Sequence, residues 1–290
     1  MKILVTGASG QLGKSIRDAS YNSDLEFVFT DVVADEGVAV LDVTDEAAVN
    51  AFISENGFDA IVNCAAYTDV DKAESDQEKA YRLNEHAPGV LAKAAADAGS
   101  LLIHISTDYV FDGGACVPYK EEMEASPLNV YGAAKLAGEN AVAASGCRYL
   151  IIRTSWLYSN YGRNFFKRMV ELTAERPTLK VVSDQIGTPT WASDLADAII
   201  VILESGKTYD SGVYHYSDEG VCSWYDFAKE ICAGVGHLCD IHPCSSEDYP
   251  TAAQRPSFSV LDKTKFKNTF GMEIPHWRES LLSCINLRQE

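Results

Sequence analysis

Tyr131 and Lys135 stand four residues apart in Val130–Ala144, a segment whose apolar spacing predicts a helix. At i and i+4 they share one helical face. A phenol with a pKa of about 10 exchanges protons poorly at neutral pH, but a neighbouring ammonium stabilises the phenolate and suits the pair to general acid–base catalysis. Lys135 could also hold a ribose. The run Ser106-Thr107-Asp108-Tyr109-Val110-Phe111-Asp112 adds hydroxyls. Thr107 is placed to hydrogen-bond a substrate oxygen beside Tyr131, and Ser106 is the near alternative. Without that role the run is a strand-end turn tied by local Ser, Thr and Asp bonds. An isolated Y-x-x-x-K is common on amphipathic helices, so the meaning of the pair depends on the fold that carries it.

Gly7-Ala8-Ser9-Gly10-Gln11-Leu12-Gly13 is a G-x-x-G-x-x-G turn between a strand, Lys2–Thr6, and a helix. Glycines let the backbone turn tightly and approach a pyrophosphate. The helix N-terminus then offers unpaired N–H groups and the positive end of its dipole. Asp31 ends the second strand, 21 residues beyond Gly10, where a carboxylate can bond adenosine ribose hydroxyls. The combination indicates a dinucleotide, NADH or NADPH, and Asp31, which repels a 2′-phosphate, favours NADH. Leu41-Asp42-Val43-Thr44-Asp45 offers an acidic side chain to the adenine amino group, with Asp45 equally a helix N-cap. Small residues in Asn63-Cys64-Ala65-Ala66 leave room for the cofactor, or for close helix packing.

The elements that must position these residues alternate. Strands are expected at Lys2–Thr6, Glu26–Thr30, Ala60–Cys64, Leu101–Ser106 and Tyr149–Arg153, with helices at Leu12–Ser20, Glu46–Asn56, Ala87–Ala98 and Val130–Ala144. Continuous β-branched runs between amphipathic helices mean a parallel sheet buried on both faces. Right-handed crossovers make it a doubly wound α/β fold of the Rossmann kind. Ligands bind at the carboxyl ends of its strands, where the glycine turn, Thr107 and Trp156 all emerge. The pattern past residue 155 is less regular, with helices expected at Phe165–Ala174, Ser193–Glu204 and Trp224–Ala233. A dinucleotide-binding domain is therefore expected over 1–155, completed by about 192–215. A smaller C-terminal α/β substrate-binding domain takes about 156–191 and 216–290.

Forty-two acidic against 24 basic residues leave a net charge of −18. Such a surface repels phosphate backbones and anionic lipid, which argues against nucleic-acid and membrane partners. Positive potential for a phosphorylated substrate must then be local: helix N-termini, or Lys135, Arg153 or Arg255. No apolar run reaches the length of a membrane span, the start reads as a strand rather than a signal peptide, and the eight scattered cysteines are expected as free thiols in the cytoplasm.

The runs GASGQLG, NCAAYT, STDYVFDG, PLNVYGAAKLAGE, RTSWLY, DQIGTPTWASDLA and YPTAAQRPSFSVLD resemble the extended short-chain dehydrogenase/reductase superfamily, and within it the family of dTDP-4-dehydrorhamnose reductases. The likeness covers nearly the whole chain. It implies reduction of the C4 carbonyl of a dTDP-linked 4-keto-deoxysugar by NAD(P)H, with Tyr131 as proton donor, Lys135 as its electrostatic partner and Thr107 aligning the carbonyl. It also implies cofactor contacts at Gly10, Gln11, Leu12, Asp31, Asp42, Val43, Ala65 and Ala66, and sugar-nucleotide contacts at Asp108 and Trp156. Some such reductases dimerise through carboxylates sharing magnesium. Ser15 and Ser193 stand where two of those are sought, so a monomer or weak homodimer is expected.

Trp156 could stack on a sugar or base, or fill a core. Arg255, in Gln254-Arg255-Pro256, can grip a diphosphate in a bidentate fork, or make a surface ion pair. His237, Cys239, His242 and Cys244 are soft ligands within eight residues. Their run reads as a short strand that points alternate side chains to opposite faces, and no metal is expected. Two rival classes stay open: an epimerase or dehydratase that retains NAD, and a nucleotide-binding regulatory subunit. A dehydratase needs more carboxylates beside Thr107 than Asp108. A pure binding module has no need of a paired phenol and ammonium.

Overall fold

The computed structural model describes residues 1–289. Seven strands form one sheet: β1 (Lys2–Thr6), β2 (Glu26–Asp31), β3 (Val38–Val40), β4 (Ala60–Asn63), β5 (Leu101–Thr107), β6 (Arg148–Thr154) and, far along the chain, β11 (Gly212–His215). Their order is β11-β6-β5-β4-β1-β2-β3 and every pairing is parallel. Chain direction across the sheet reverses between β1 and β4, the crevice where such folds take ligands. The β-branched runs sit centrally because both faces are covered. Along β1, Ile3 and Val5 enter one core and Leu4 the other, the two-residue alternation of a strand.

Helices α1 (Gln11–Ser20), α8 (Ala192–Glu204) and α10 (Thr264–Phe270) close the first face through Ile16, Leu195, Ile199, Phe266 and Phe270. On the second face lie α2 (Glu46–Asn56), α5 (Ala87–Ala98) and α6 (Val130–Ala144), through Ile53, Leu91 and Val142. Asp45 caps α2, accepting from the Ala48 N–H, and Asn129 caps α6, accepting from Gly132. Short helices α3 (Val70–Ala73) and α4 (Gln77–Tyr81) lead into a π-helical turn at Arg82–His86. Nothing in the local sequence signals that turn. It is the surface on which α6 rests: a Cβ at Gly138 would fall on the Asn84 carbonyl oxygen.

A separate core holds Phe166, Phe227, Ile231, Trp277 and Leu281. It is built from α7 (Phe165–Glu175), α9 (Trp224–Gly234), α11 (Trp277–Gln289) and three two-stranded pairs. The pairs are β7 (Leu157–Tyr158) with β10 (Thr190–Trp191), β8 (Thr178–Val182) with β13 (Asp240–Cys244), and β9 (Ile186–Gly187) with β12 (Cys222–Ser223). Among the described residues no helix is long and apolar enough to cross a membrane, and all eight cysteines are unpaired.

Candidate active site

Two cavities meet at Gly10, Cys64 and Ala66, on the carboxyl ends of β1 and β4. The first, of about 630 Å³, is walled by Gly7, Asp31, Asp42, Val43, Ala65 and Arg82. The second, of about 530 Å³, is walled by Gln11, Leu12, Thr107, Asp108, Tyr131, Lys135, Trp156 and Arg255. The expected cofactor residues are thus divided, most of them in the first cavity and Gln11, Leu12, Tyr131 and Lys135 in the second. Gly13 lines neither; it seats α1 on the turn, because a Cβ there would lie 2.5 Å from the Ala8 Cα.

The glycine turn is held open by backbone geometry. Gly7 has φ +67°, and a Cβ on it would lie 2.5 Å from the Ala65 N atom, so β1 and β4 can approach only with glycine there. Gly10 precedes α1 with no side-chain cap, leaving the first-turn N–H groups to a ligand. Asp31 accepts from the Ser9 N–H at 2.9 Å and from Val32 at 2.7 Å, which fixes its carboxylate over the turn. Asp42 accepts from the Thr44 hydroxyl and N–H, bonds that hold its carboxyl below the usual carboxylate range.

In the second cavity β5 delivers Thr107 and α6 delivers Tyr131 and Lys135. Thr107 Oγ1 accepts from the Tyr109 N–H and donates to Asp108 Oδ1 at 3.1 Å. Ser106, the alternative, is spent elsewhere: its hydroxyl donates to Glu139 Oε1 at 2.5 Å. The Lys135 ammonium donates to the Ile105 carbonyl at 2.6 Å. Burial pulls its pKa down to about 8, against the Glu139 carboxylate and Cys64, which raise it.

The Ile105 carbonyl, rather than the Tyr131 phenol, takes the Lys135 ammonium. Burial drives that phenol well above its ordinary range, a hydrogen bond with Thr107 opposes, and Asp108 and Tyr109 add to the rise. A phenol so held is fully protonated at neutral pH, the form a proton donor requires.

Asp108 is itself buried, with Oδ2 unpartnered, and burial pushes its carboxyl up to about 7 against bonds with Ser259 and Thr107. Between the unfolded value of 3.8 and about 7 the folded protein keeps a proton that the unfolded chain releases. Stability from this group is therefore greatest below that window and is lost as pH rises through it. Asp108→Asn is expected to gain up to a few kcal/mol over the parent on going from about pH 4 to about pH 8, since each pH unit separating the folded and unfolded titrations is worth roughly 1.4 kcal/mol. Thermal melts at the two pH values read this directly, and an offset independent of pH contradicts it.

Trp156 leaves β6 with φ +47°, the one described non-glycine residue in the left-handed region. Its indole lies on Trp224 at 3.6 Å between centroids. Gly187 makes room for it, since a Cβ there would meet the ring at 2.6 Å. Strain of this kind persists where the surroundings over-determine it and clusters at ligand sites. Arg255 reaches the cavity but is already paired, Nη2 to Asp71 Oδ2 at 2.6 Å, so its expected ion pair and its place at the site coexist. Beside it opens a further cavity of about 700 Å³ carrying Arg168, Arg176 and Lys180 with Tyr249 and Trp224. Sequence reasoning missed these cations because nothing local sets them apart from surface charge.

One expectation is corrected. Arg153 supplies no positive potential to a ligand: it is 4% exposed and forked onto Glu139 at 2.9 and 2.7 Å. The His237, Cys239, His242 and Cys244 run has its own local partners, Thr173 for His237 and Asp240 for His242. No group of three or more metal-ligating side chains converges among the described residues.

Residues 1–289 match the family described as RmlD substrate binding domain. A dTDP-4-dehydrorhamnose reductase of Sinorhizobium fredii is 40% identical over 288 residues, 97% of this chain and 95% of that protein. The crystal structure of one from Clostridium acetobutylicum superposes with a TM-score of 0.93 at 42% identity, covering all of both chains. Another from Bacillus anthracis, in complex with NADP, gives 0.89 at 37% identity, covering 99% of each. With a matched profile along its length and relatives at this identity, the chain belongs to the RmlD substrate binding domain family, that of the dTDP-4-dehydrorhamnose reductases.

Proposed function

We propose that the protein reduces the C4 keto group of dTDP-4-dehydro-β-L-rhamnose to give dTDP-β-L-rhamnose, with Tyr131 as the proton donor. The observation that carries this reading is the convergence of Thr107, Tyr131, Lys135 and Asp108 on one cavity that opens onto the uncapped α1 N-terminus. The residues fit a dinucleotide, because free backbone amides bind pyrophosphate without basic side chains, which an acidic chain lacks to spare. NADH or NADPH, when bound, supplies a hydride for the sugar C4. The protein's own part is to hold the carbonyl between Thr107 and Tyr131, and to move the phenol proton onto the carbonyl oxygen. The Lys135 ammonium, on turning from the Ile105 carbonyl, stabilises the phenolate left behind. Asp108 and Trp156 bound the sugar, and Arg255 with Arg168, Arg176 and Lys180 faces the diphosphate and nucleoside.

Residues 1–155 with about 192–215 serve the cofactor, and about 156–191 with 216–290 serve the substrate. Completion of the sheet by β11 and the separate core around Phe227 support this division, with α10 returning to the first core. The protein works as a monomer or weak homodimer: Ser15, buried and bonded to the Gln11 carbonyl, and Ser193 offer no carboxylates for a shared metal. Eight free thiols suit a reducing cytoplasm.

Mixing the protein with the keto-sugar and either coenzyme, and following absorbance of the reduced nicotinamide, tests the activity. Turnover is expected, faster with NADH because of Asp31. In Asp31→Ala the NADH-over-NADPH ratio should fall about tenfold, the effect of roughly 1.4 kcal/mol of lost repulsion. No turnover with either coenzyme, in folded protein that binds both, overturns the reductase reading.

A further inference from the structure

Tyr131 and Lys135 are followed, one further turn along α6, by Glu139, so the three side chains stack at i, i+4 and i+8. Glu139 is 4% exposed, yet it carries a carboxylate. Its Oε1 accepts from the Ser106 hydroxyl at 2.5 Å and from Arg153 Nε at 2.9 Å, and its Oε2 accepts from Arg153 Nη2 at 2.7 Å. These partners come from two strands: Ser106 from β5 and Arg153 from β6, at positions directly paired in the sheet. The guanidinium also lies over the Phe111 ring at 5.1 Å, a contact that favours this placement. Ser106 is flanked by Ile105, whose carbonyl takes the Lys135 ammonium, and by Thr107.

We propose that Glu139 is a positioning residue of the reductase centre: through Ser106 and Arg153 it locks the Tyr131–Lys135 helix in register with the strand that ends in Thr107, and it is the counter-charge of Lys135. A purely structural anchor could be made of apolar side chains, which are often as stable as a buried ion pair. A carboxylate one turn from a buried ammonium does what those cannot, because it opposes the loss of the Lys135 proton to burial. The ionisable groups facing Lys135 are Tyr131 and Glu139 on its own helix, Cys64 after β4, His104 on β5 and Arg153 on β6. Of these, Glu139 and then Cys64 are the ones that raise its pKa. Neutral His104 sits deeper, bonded to Asn63.

The proposal rests on the reductase reading, and two measurements separate their failures. The first needs no substrate: NMR titration of the isotope-labelled lysine side chains, with Lys135 assigned through Lys135→Arg. In the parent Lys135 is expected to titrate at about 8, and in Glu139→Gln about one pH unit lower. Glu139→Asp, which keeps the charge on a shorter arm, should restore most of the difference. The second is the pH profile of kcat. The alkaline limb should move down by the same amount in Glu139→Gln, with kcat reduced about tenfold or more and KM little changed.

Ser106→Ala, which leaves the ion pair intact, should keep the limb in place. If Glu139→Gln fails to fold because Arg153 is left unpaired, Glu139→Gln with Arg153→Gln removes both charges and should still lower the Lys135 titration, by less than the single substitution because the departing guanidinium had opposed the ammonium. A Lys135 titration unchanged in a folded variant overturns the proposal. A parent protein inert toward the keto-sugar overturns the reductase reading alone, since the NMR titration still reports on Glu139.

Discussion

Tyr131→Phe is expected to fold, to bind nicotinamide cofactor as the parent does, and to reduce the keto-sugar about a thousandfold more slowly, the scale of a lost general acid. The substitution removes one oxygen and keeps the ring. The edge-on contact with Tyr109, with centroids 5.9 Å apart, therefore survives, and so does the seat of α6 on the π-helical turn. What is lost is the one proton held between Thr107 and the cavity. The loss should fall on kcat with KM nearly constant, because the phenol acts in the transition state more than in binding. Lys135→Ala should be similarly slow but should also weaken cofactor binding if the ammonium holds the ribose. Steady-state kinetics beside a cofactor titration separates the two. A Tyr131→Phe protein with more than about a tenth of parental kcat would falsify the assignment of the proton donor.

Gly13→Ala is expected to produce the second large effect, on cofactor binding and stability together. A Cβ at this position would overlap the Gly7 carbonyl oxygen and lie 2.5 Å from the Ala8 Cα. Both are backbone atoms of the turn itself, so neither can rotate aside; α1 has to lift off or the turn has to open. Forcing a group into a filled site costs about 1–3 kcal/mol, and here the strain falls on the N–H groups meant for the pyrophosphate. We expect a melting temperature lower by roughly 3–10 °C and cofactor affinity reduced at least about tenfold. The same substitution at Gly89 in α5 supplies the contrast. Its Cβ would meet only the Ala141 Cβ at 3.4 Å, and in a helix alanine is favoured over glycine by about 0.5–1 kcal/mol. Calorimetry and cofactor titration of both variants check the pair; equal behaviour would mean that the turn yields where its packing says it cannot.

Five of the seven sheet strands and most of the helices that cover them were legible in the sequence almost to the residue, whereas β3, β11 and α10 were given no span. β1, α2, α5 and α6 occupy the expected spans, and β2, β4, β5 and β6 differ by single residues at their ends. Each is specified by chain-local physics: two-residue alternation or apolar runs for buried strands, 3.6-residue spacing for helices, glycines where a turn demands them, and Asp45 and Asn129 as caps. The Tyr131–Lys135 pair and the Gly7–Gly13 turn could be placed for the same reason, since spacing along one helix or one turn sets which groups share a face, although what the pair does depends on the fold that carries it. Partners that meet only on folding were not readable. The choice between Ser106 and Thr107 was made by Glu139, 33 residues from Ser106, and Arg153 was withdrawn from ligands by that same carboxylate. Arg255 is oriented by Asp71, 184 residues away. Whether the Tyr131 phenol is pushed up or pulled down depended on where the Lys135 ammonium turns and on how much water the strand ends exclude, and no spacing rule carries either quantity. Sequence determined which chemistry the chain could host, because local pattern sets element type and the groups on each face. Tertiary structure decided which groups are free to perform it, because charge, burial and hydrogen-bond occupancy are properties of neighbours in space.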